Sequence, residues 1–395
     1  MKTKKMKRSS IICTYMLAAV FLLGCENEIP YHPGSHKPLL IMNALLTAGE
    51  AENYVYLHLS EGNSIKPVKQ ATLSLYVNGQ LAEEPQPVTP SKNAPMTFCL
   101  RTVFRPGDHI RLEATAEGKD YCVESEVTVP QPVKSIQVDT CVTKILQWGG
   151  MRDYRRILVS LHDLPGEKNY YRLEVLNNYR IKASHPAPSL NEDGSQVTDE
   201  SGNPVYHYKD TIFNYTDREL INREDIILTD GHISNSDQDE DNEMFPIINN
   251  KYNIFTDSQF SNSHATLKVY TALGLDYLNG YQNVYASLQS LSVRVLSLNR
   301  DEYLYFKGLN CMDDDYDATL MEPVSLPTNV KGGLGFVGLC AVTQITMDFP
   351  PNSICLFVNK KTIHPIKTNR IIPTYYYIRI TKQLSNSHFH IPKLI

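Results

Sequence analysis

The chain lacks the short motifs that announce a chemistry. Its eight cysteines form no C-x-x-C pair, and neither H-E-x-x-H nor G-x-S-x-G occurs anywhere. A zinc ribbon, a thioredoxin-like site, a zincin helix and the nucleophile elbow of a serine hydrolase are therefore not expected. Tryptophan occurs once against 24 tyrosines and 23 prolines, which suits a β-rich protein with many turns. No repeat recurs at a fixed period, and no apolar run after residue 24 is long enough to span a bilayer. A basic excess is missing too. The first 24 residues carry five of the 38 Lys and Arg and none of the 43 Asp and Glu, which leaves the following 371 residues at a formal charge of −10. Such an acidic body argues against nucleic acid as a partner, since that would need a concentrated basic stripe.

What is present begins at the N-terminus. Lys2, Lys4, Lys5, Lys7 and Arg8 form a cationic head, and an apolar run follows from Ile11 to Leu23. The run is too short for a stable anchor and right for a signal-peptide core. It ends in Leu22-Leu23-Gly24-Cys25, which resembles the lipobox cut by lipoprotein signal peptidase. Residues 1–24 are thus expected to leave as a signal peptide. The Cys25 thiol would become a thioether to diacylglycerol, and acyl chains such as palmitate, at about 0.8 kcal/mol per buried CH₂, would hold the protein at a membrane. Glu26, Asn27 and Glu28 follow directly, resembling the surface-export signal of Bacteroidota lipoproteins. Residues 25–38, broken by Pro30, Pro33, Gly34 and Pro38, read as the lipidated tether.

A mainly β fold is expected beyond the tether. Ala71, Leu73, Leu75 and Val77 alternate with polar neighbours and run into Asn78-Gly79, a strong hairpin turn. Arg105-Pro106-Gly107-Asp108 makes another turn. Ile110, Leu112, Ala114 and Ala116 keep period two up to Glu117-Gly118-Lys119, and Tyr121, Val123, Val127 and Val129 keep it on the return. One apolar face repeated over short strands predicts an Ig-like or transthyretin-like β-sandwich over 39–130, closed by Pro130-Gln131-Pro132. A larger β-rich domain with few helices is expected over 131–395. Its strands read at 156–161, 170–176, 267–273, 291–296 and 374–380. Its clearest helix runs from Tyr303 to Leu309, with Asn299 as cap and Glu302 three residues on. Polar insertions interrupt it near 186–202, read as flexible, and near 235–243.

An ordered set of motifs runs along the chain. Leu39-Leu40-Ile41-Met42-Asn43-Ala44-Leu45-Leu46 opens the first domain, and Phe104-Arg105-Pro106-Gly107 leads towards Tyr121. Asn169-Tyr170-Tyr171-Arg172-Leu173-Glu174-Val175 and Ile254-Phe255-Thr256-Asp257 follow. Then come Ser297-Leu298-Asn299-Arg300-Asp301-Glu302-Tyr303-Leu304-Tyr305, Glu322-Pro323 and Asn329-Val330-Lys331-Gly332-Gly333-Leu334-Gly335-Phe336-Val337-Gly338. Behind a lipobox, this order resembles a family of Bacteroidota outer-membrane lipoproteins classed as domain of unknown function 4249. The resemblance covers most of residues 25–341; beyond Ala341 the cysteine-containing ending expected of the family does not align. Members are often encoded near TonB-dependent outer-membrane receptors. The resemblance therefore implies a location and a receptor partner, not a reaction.

Candidate chemistry is sparse. Gly332, Gly333, Gly335 and Gly338 invite a phosphate-loop reading, but Lys331 precedes the glycines and a strand pattern follows them, which favours a glycine-bent strand against a neighbouring backbone. Asp237, Asp239, Asp241 and Glu243 are weak calcium candidates. Asn242 and Ile248 stand where an EF-hand needs glycine and glutamate, so a solvated acidic loop is preferred. Asp313, Asp314, Asp315 and Asp317 read the same way. Tyr375 to Tyr377, and Tyr277, Tyr281 and Tyr285 at helical spacing, could present rings to a ligand or partner but more often pack. After Cys25, six cysteines remain (Cys99, Cys122, Cys141, Cys311, Cys340 and Cys355), and an exported location permits disulfides. No cofactor and no catalytic residue is assigned. The expectation is a surface-exposed outer-membrane lipoprotein that binds, as an accessory to a TonB-dependent receptor in nutrient uptake. A surface adhesin or fimbria-like component is the alternative, and a carbohydrate-active or other hydrolase the third.

Overall fold

Period-two alternation becomes buried strand faces. In the computed structural model, residues 37–61, 64–88, 95–147, 150–166, 168–230, 250–275, 278–312 and 326–349 are described. Those from Pro38 onward belong to one compact unit. The first strands are β1 (Leu40–Thr47), β2 (Asn53–Glu61) and β3 (Ser64–Pro67). Leu73 and Leu75 are buried in β4 (Ala71–Val77), and the chain turns into β5 (Gln80–Glu83). Asn78 and Gly79 make that turn with φ of 51° and 81°, and two successive positive φ values give the twist that a two-residue hairpin needs. β6 (Pro87–Val88) and β7 (Met96–Leu100) follow. β8 (His109–Ala116) buries Ile110, Leu112, Ala114 and Ala116, and β9 (Tyr121–Thr128) returns antiparallel beside it.

The remaining strands are longer. They are β10 (Ile136–Gln147), β11 (Gly150–His162), β12 (Tyr170–Pro188), β13 (Tyr206–Asp217), β14 (Ile254–Thr256), β15 (His264–Ala272) and β16 (Gln282–Leu298). Helix α1 (Arg300–Cys311), β17 (Val330–Lys331) and β18 (Val337–Asp348) complete the described order. The expected strands at 156–161, 170–176, 267–273 and 291–296 lie within β11, β12, β15 and β16, while 374–380 lies outside the described residues. Tyr281 directly precedes β16 and Tyr285 lies within its first residues, so they are not on a helix.

The fold is mainly β, as expected, with a sandwich at its N-terminal side. A five-stranded sheet in the order β17-β9-β8-β4-β5 faces the β18-β1-β2-β7-β6 part of a ten-stranded sheet, with β3 beside β2. Leu46, Leu57, Leu75, Phe98, Ile110 and Leu112 fill the space between them. This core is not supplied by residues 39–130 alone: Val330, Val337, Leu339 and Ala341 belong to it. β18 lies parallel to β1, with Ala44 opposite Val337 and Thr47 opposite Cys340.

The glycine run makes that return possible. β17 pairs with β9 in one sheet, and a few residues later β18 pairs with β1 in the other. Between them the chain presses on β1: Leu334 N–H donates to Leu40 O (2.9 Å) and Met42 N–H to Leu334 O (2.9 Å). A Cβ at Gly333 would stand 2.2 Å from Leu40 O, and one at Gly335 2.1 Å from Met42 O. Gly335 also has φ of 112°, which L side chains rarely adopt. The run is a bent strand against a neighbouring backbone, and a strand follows it.

Beyond Pro130, the three-stranded sheet β10-β11-β15 packs over β12 and β16 of the large sheet. Ile157, Val159, Leu161, Leu173, Val175, Leu267, Val269, Leu291 and Val293 form this second core. α1 covers the opposite face of β12 and β16 through Phe306, which packs with Ile254, Leu296, Leu298 and Cys340. Within 186–202, residues up to Pro188 are strand and the rest is held by isolated bridges, Leu190 to Gln196 and Thr198 to Pro204. β12 runs to Pro188, and tight turns at Gly194 and Gly202 (φ 81° each) shape the tip that leads into β13. Among the described residues Cys99, Cys122, Cys141, Cys311 and Cys340 are free thiols, so the disulfides that export would permit are not formed there.

Candidate functional site

Motifs far apart in sequence meet around α1. Asn299 occupies the expected N-cap position with φ −75° and ψ 156°, but its side chain does not cap. Instead, Asn299 Nδ2 donates to Thr128 O (2.8 Å) and to Leu339 O (3.4 Å). Nor does Glu302 reach back to close a capping box; it is buried and accepts from Leu339 N–H at 3.0 Å. The tertiary partner wins because β18 offers a backbone group that would otherwise be buried without one. Tyr305 stacks on Phe336 (4.3 Å, 7°), and Tyr303 tilts against Tyr170 (5.0 Å). Burial raises the Glu302 carboxyl to about 8 despite the nearby Arg172, so it is mostly neutral at pH 7.

Glu174 beside this junction keeps its charge. Burial opposes ionisation, but Arg172 at 3.2 Å, then Arg294 at 3.6 Å and Arg218 at 3.9 Å, outweigh it and hold the carboxyl below its ordinary range. Arg172 is itself packed, 4.7 Å from the Phe306 ring centre. The ion pairs tie β12 to β16 and to Arg218, while Arg172 over Phe306 and the ring contacts of Tyr303 and Tyr305 hold α1 in place.

A hydrolase would need converging carboxylates, and Asp163 and Asp257 share Asn169 as a partner. Both are buried beside a groove of about 220 Å³ lined by Gln131, Lys168, Asn169, Tyr170 and Ser297. Asp163 accepts from Tyr171 OH (2.6 Å) and Asn262 N–H (2.8 Å), and Asp257 accepts from Asn169 N–H (3.0 Å). Asn169 Nδ2 bridges towards both, at 3.2 Å and 3.4 Å. These bonds tie the 163–169 and 257–262 loops together. No group of three or more His, Cys, Asp and Glu among the described residues is arranged to hold a metal.

An exposed candidate surface lies on the β12–β13 hairpin. β13 is the edge strand of the large sheet. Side chains alternate along a strand, so Tyr206, Tyr208 and Ile212 share one face, each 57% exposed. Pro188 stands opposite Tyr206, Pro186 opposite Tyr208, and Lys182 opposite both Ile212 and Tyr285. On the other face Ile181, Phe213 and Tyr215 pack in a cluster with Tyr179 and Tyr281. One side of the hairpin is therefore committed to packing, and the other offers tyrosines, prolines and an isoleucine to solvent.

Of the site residues expected from sequence, Cys25, Asp237, Asp239, Asp241 and Glu243 lie outside the described residues, as do Asp313 to Asp317, Tyr277 and Tyr375 to Tyr377. Tyr206 and Tyr208 were not among those expectations. Their spacing of two, followed by Ile212 in phase, is the signal that an apolar face continues past the insertion.

The scaffold is a β-rich, several-sheet protein with one α-helix among the described residues, none of whose helices there is long and apolar enough to cross a membrane. Residues 26–346 match the family described as Domain of unknown function (DUF4249), and the chain belongs to that family. The family carries no assigned enzyme activity. No curated protein matches the chain.

Proposed function

We propose that this protein is a lipid-anchored, surface-exposed binding protein of the outer membrane, an accessory that docks on a TonB-dependent receptor during nutrient uptake. The observation that carries a binding role is the exposed face of Tyr206, Tyr208, Ile212 and Tyr285 on the projecting edge hairpin. Tyrosine-rich apolar patches at a sheet edge favour contact with another protein, because the rings bury large area with little entropy loss and the edge offers free backbone groups. The lipobox at Cys25 supplies the anchor in this reading, and the family resemblance supplies the receptor.

A fimbria-like component is favoured less. β1 of the N-terminal sandwich is paired on both sides within the chain, with β2 and with β18. Pull-down of the lipidated protein from detergent-solubilised outer membranes tests the proposal. The intact chain should retain a receptor, and a Tyr206→Ser/Tyr208→Ser variant should release it. Recovery of no receptor by the intact chain would refute the accessory role. Protease-trimmed, high-mass polymers on gels would point to the fimbrial one.

A further inference from the structure

Between the two sheets of the second core, the apolar packing stops at one end and gives way to buried polar side chains that have no partner. We infer that Arg155, Thr271, Asn177 and Tyr179 form an internal site for a small carboxylate, held as a monoanion between β11–β15 and β12. Arg155 of β11 stands directly opposite Thr271 of β15. Both continue the inward-facing rows of Ile157 and Val269. Asn177 and Tyr179 continue the inward row of Leu173 and Val175 on β12. Relative exposures are 6% for Arg155, 1% for Thr271, 0% for Asn177 and 2% for Tyr179. Even so, Arg155 Nε and Nη2, Thr271 Oγ1, Asn177 Nδ2 and Oδ1, and the Tyr179 hydroxyl all lack a hydrogen-bond partner. The Arg155 guanidinium lies 5.0 Å from the Phe349 ring centre, and Phe349 packs in both adjoining apolar clusters.

The chemistry of these atoms selects the occupant. Buried polar atoms are nearly always bonded, so these atoms call for a partner from outside the chain. Ordered water would satisfy the hydroxyls and the amide but gives no counter-charge to a buried guanidinium. No ion pair to Arg155 occurs among the described residues. The inward atoms are mostly donors, with Asn177 Oδ1 as the one obligate acceptor, and the guanidinium fork suits two oxygens of one planar group. A single cation fits a monoanion. Asp217, opposite Asn177 in the register, has its carboxyl raised by burial and bears on Tyr179. The inference stands apart from the surface reading of the hairpin.

Calorimetric titration of the purified full-length chain in detergent tests it, with sodium acetate, sodium butyrate and inorganic phosphate as probes at constant ionic strength. Acids released on denaturation are identified in parallel by ion chromatography. Expected is saturable carboxylate binding, or one equivalent of a carboxylate released from the purified protein. Phosphate should bind at least about tenfold more weakly than the carboxylates. Arg155→Met should abolish binding, and the isosteric Thr271→Val should weaken it by about tenfold, the loss of one charge-assisted hydrogen bond. Thr271→Val keeps the test open if Arg155→Met does not fold. Three results would overturn the inference: neither titratable nor released carboxylate, tighter binding of phosphate, or binding indifferent to both substitutions.

Discussion

The two β interiors are built from the same kind of strand and end differently. In the N-terminal sandwich, buried amides are tied down: Asn43 Oδ1 accepts from Phe336 N–H (3.0 Å), and Asn53 exchanges bonds with the Thr47 backbone (2.7 and 3.2 Å). In the second core, Arg155, Asn177, Tyr179 and Thr271 are just as buried and stay unpaired. The difference teaches that burial alone does not mark a region as structural. The first interior satisfies its amides within the chain and leaves the Ser125 hydroxyl as an unpartnered buried atom, whereas the second leaves a buried guanidinium, an amide and two hydroxyls without partners. If the comparison is right, substitutions in the first interior should cost stability alone, and those at the polar end of the second should alter stability according to what is bound.

The largest effect is expected at the seal of the first interior. Gly335→Ala places a methyl against Met42 O at a φ of 112°. A loss of about 4 kcal/mol or more is expected in denaturant unfolding; a normal midpoint would show that the crossover is loose. Leu75→Ala, at a fully buried site, should cost about 3 kcal/mol with no change in receptor capture.

Glu302 gives a pH test of the junction. Its carboxyl is raised from 4.5 to about 8 in the folded chain. Between those values the folded state holds the proton that the unfolded state has lost, so stability is full below pH 4.5 and falls as pH rises towards 8. At about 1.4 kcal/mol per unit of pKa the fall amounts to a few kcal/mol and should be reduced in Glu302→Gln; the same slope in both proteins would remove Glu302 as its source. The smallest effect belongs to the hairpin face. Tyr206→Ser/Tyr208→Ser should change stability by less than about 0.5 kcal/mol, because both rings are exposed. A larger loss would mean that the tyrosines pack instead of being offered to a partner.

Much of this architecture was legible in the chain. Period two and the Asn78-Gly79 turn are local signals, and β4, β8 and β9 formed as they indicate. The glycines after Lys331 signalled a close backbone approach, but nothing local said that the backbone would be β1 of the first sandwich. The helix at Asn299 was readable, whereas the diversion of the Asn299 and Glu302 side chains to tertiary partners was not, since those partners lie on other strands. Arg155-Arg156 looks like surface charge in isolation. Parity tells more: Arg155 is in phase with Ile157, Val159 and Leu161, and Asn177 with Tyr171, Leu173 and Val175, so polar residues occupied core positions in plain view.

The direct measurement is the unfolding free energy of the intact chain and of Arg155→Met, with and without saturating sodium acetate at constant ionic strength. A buried, unpaired guanidinium is costly, so without acetate the variant should match or exceed the parent, and with acetate only the parent should gain stability. A variant weaker than the parent by about 3 kcal/mol under both conditions would show Arg155 fully partnered within the fold, and the contrast between the two interiors would fail.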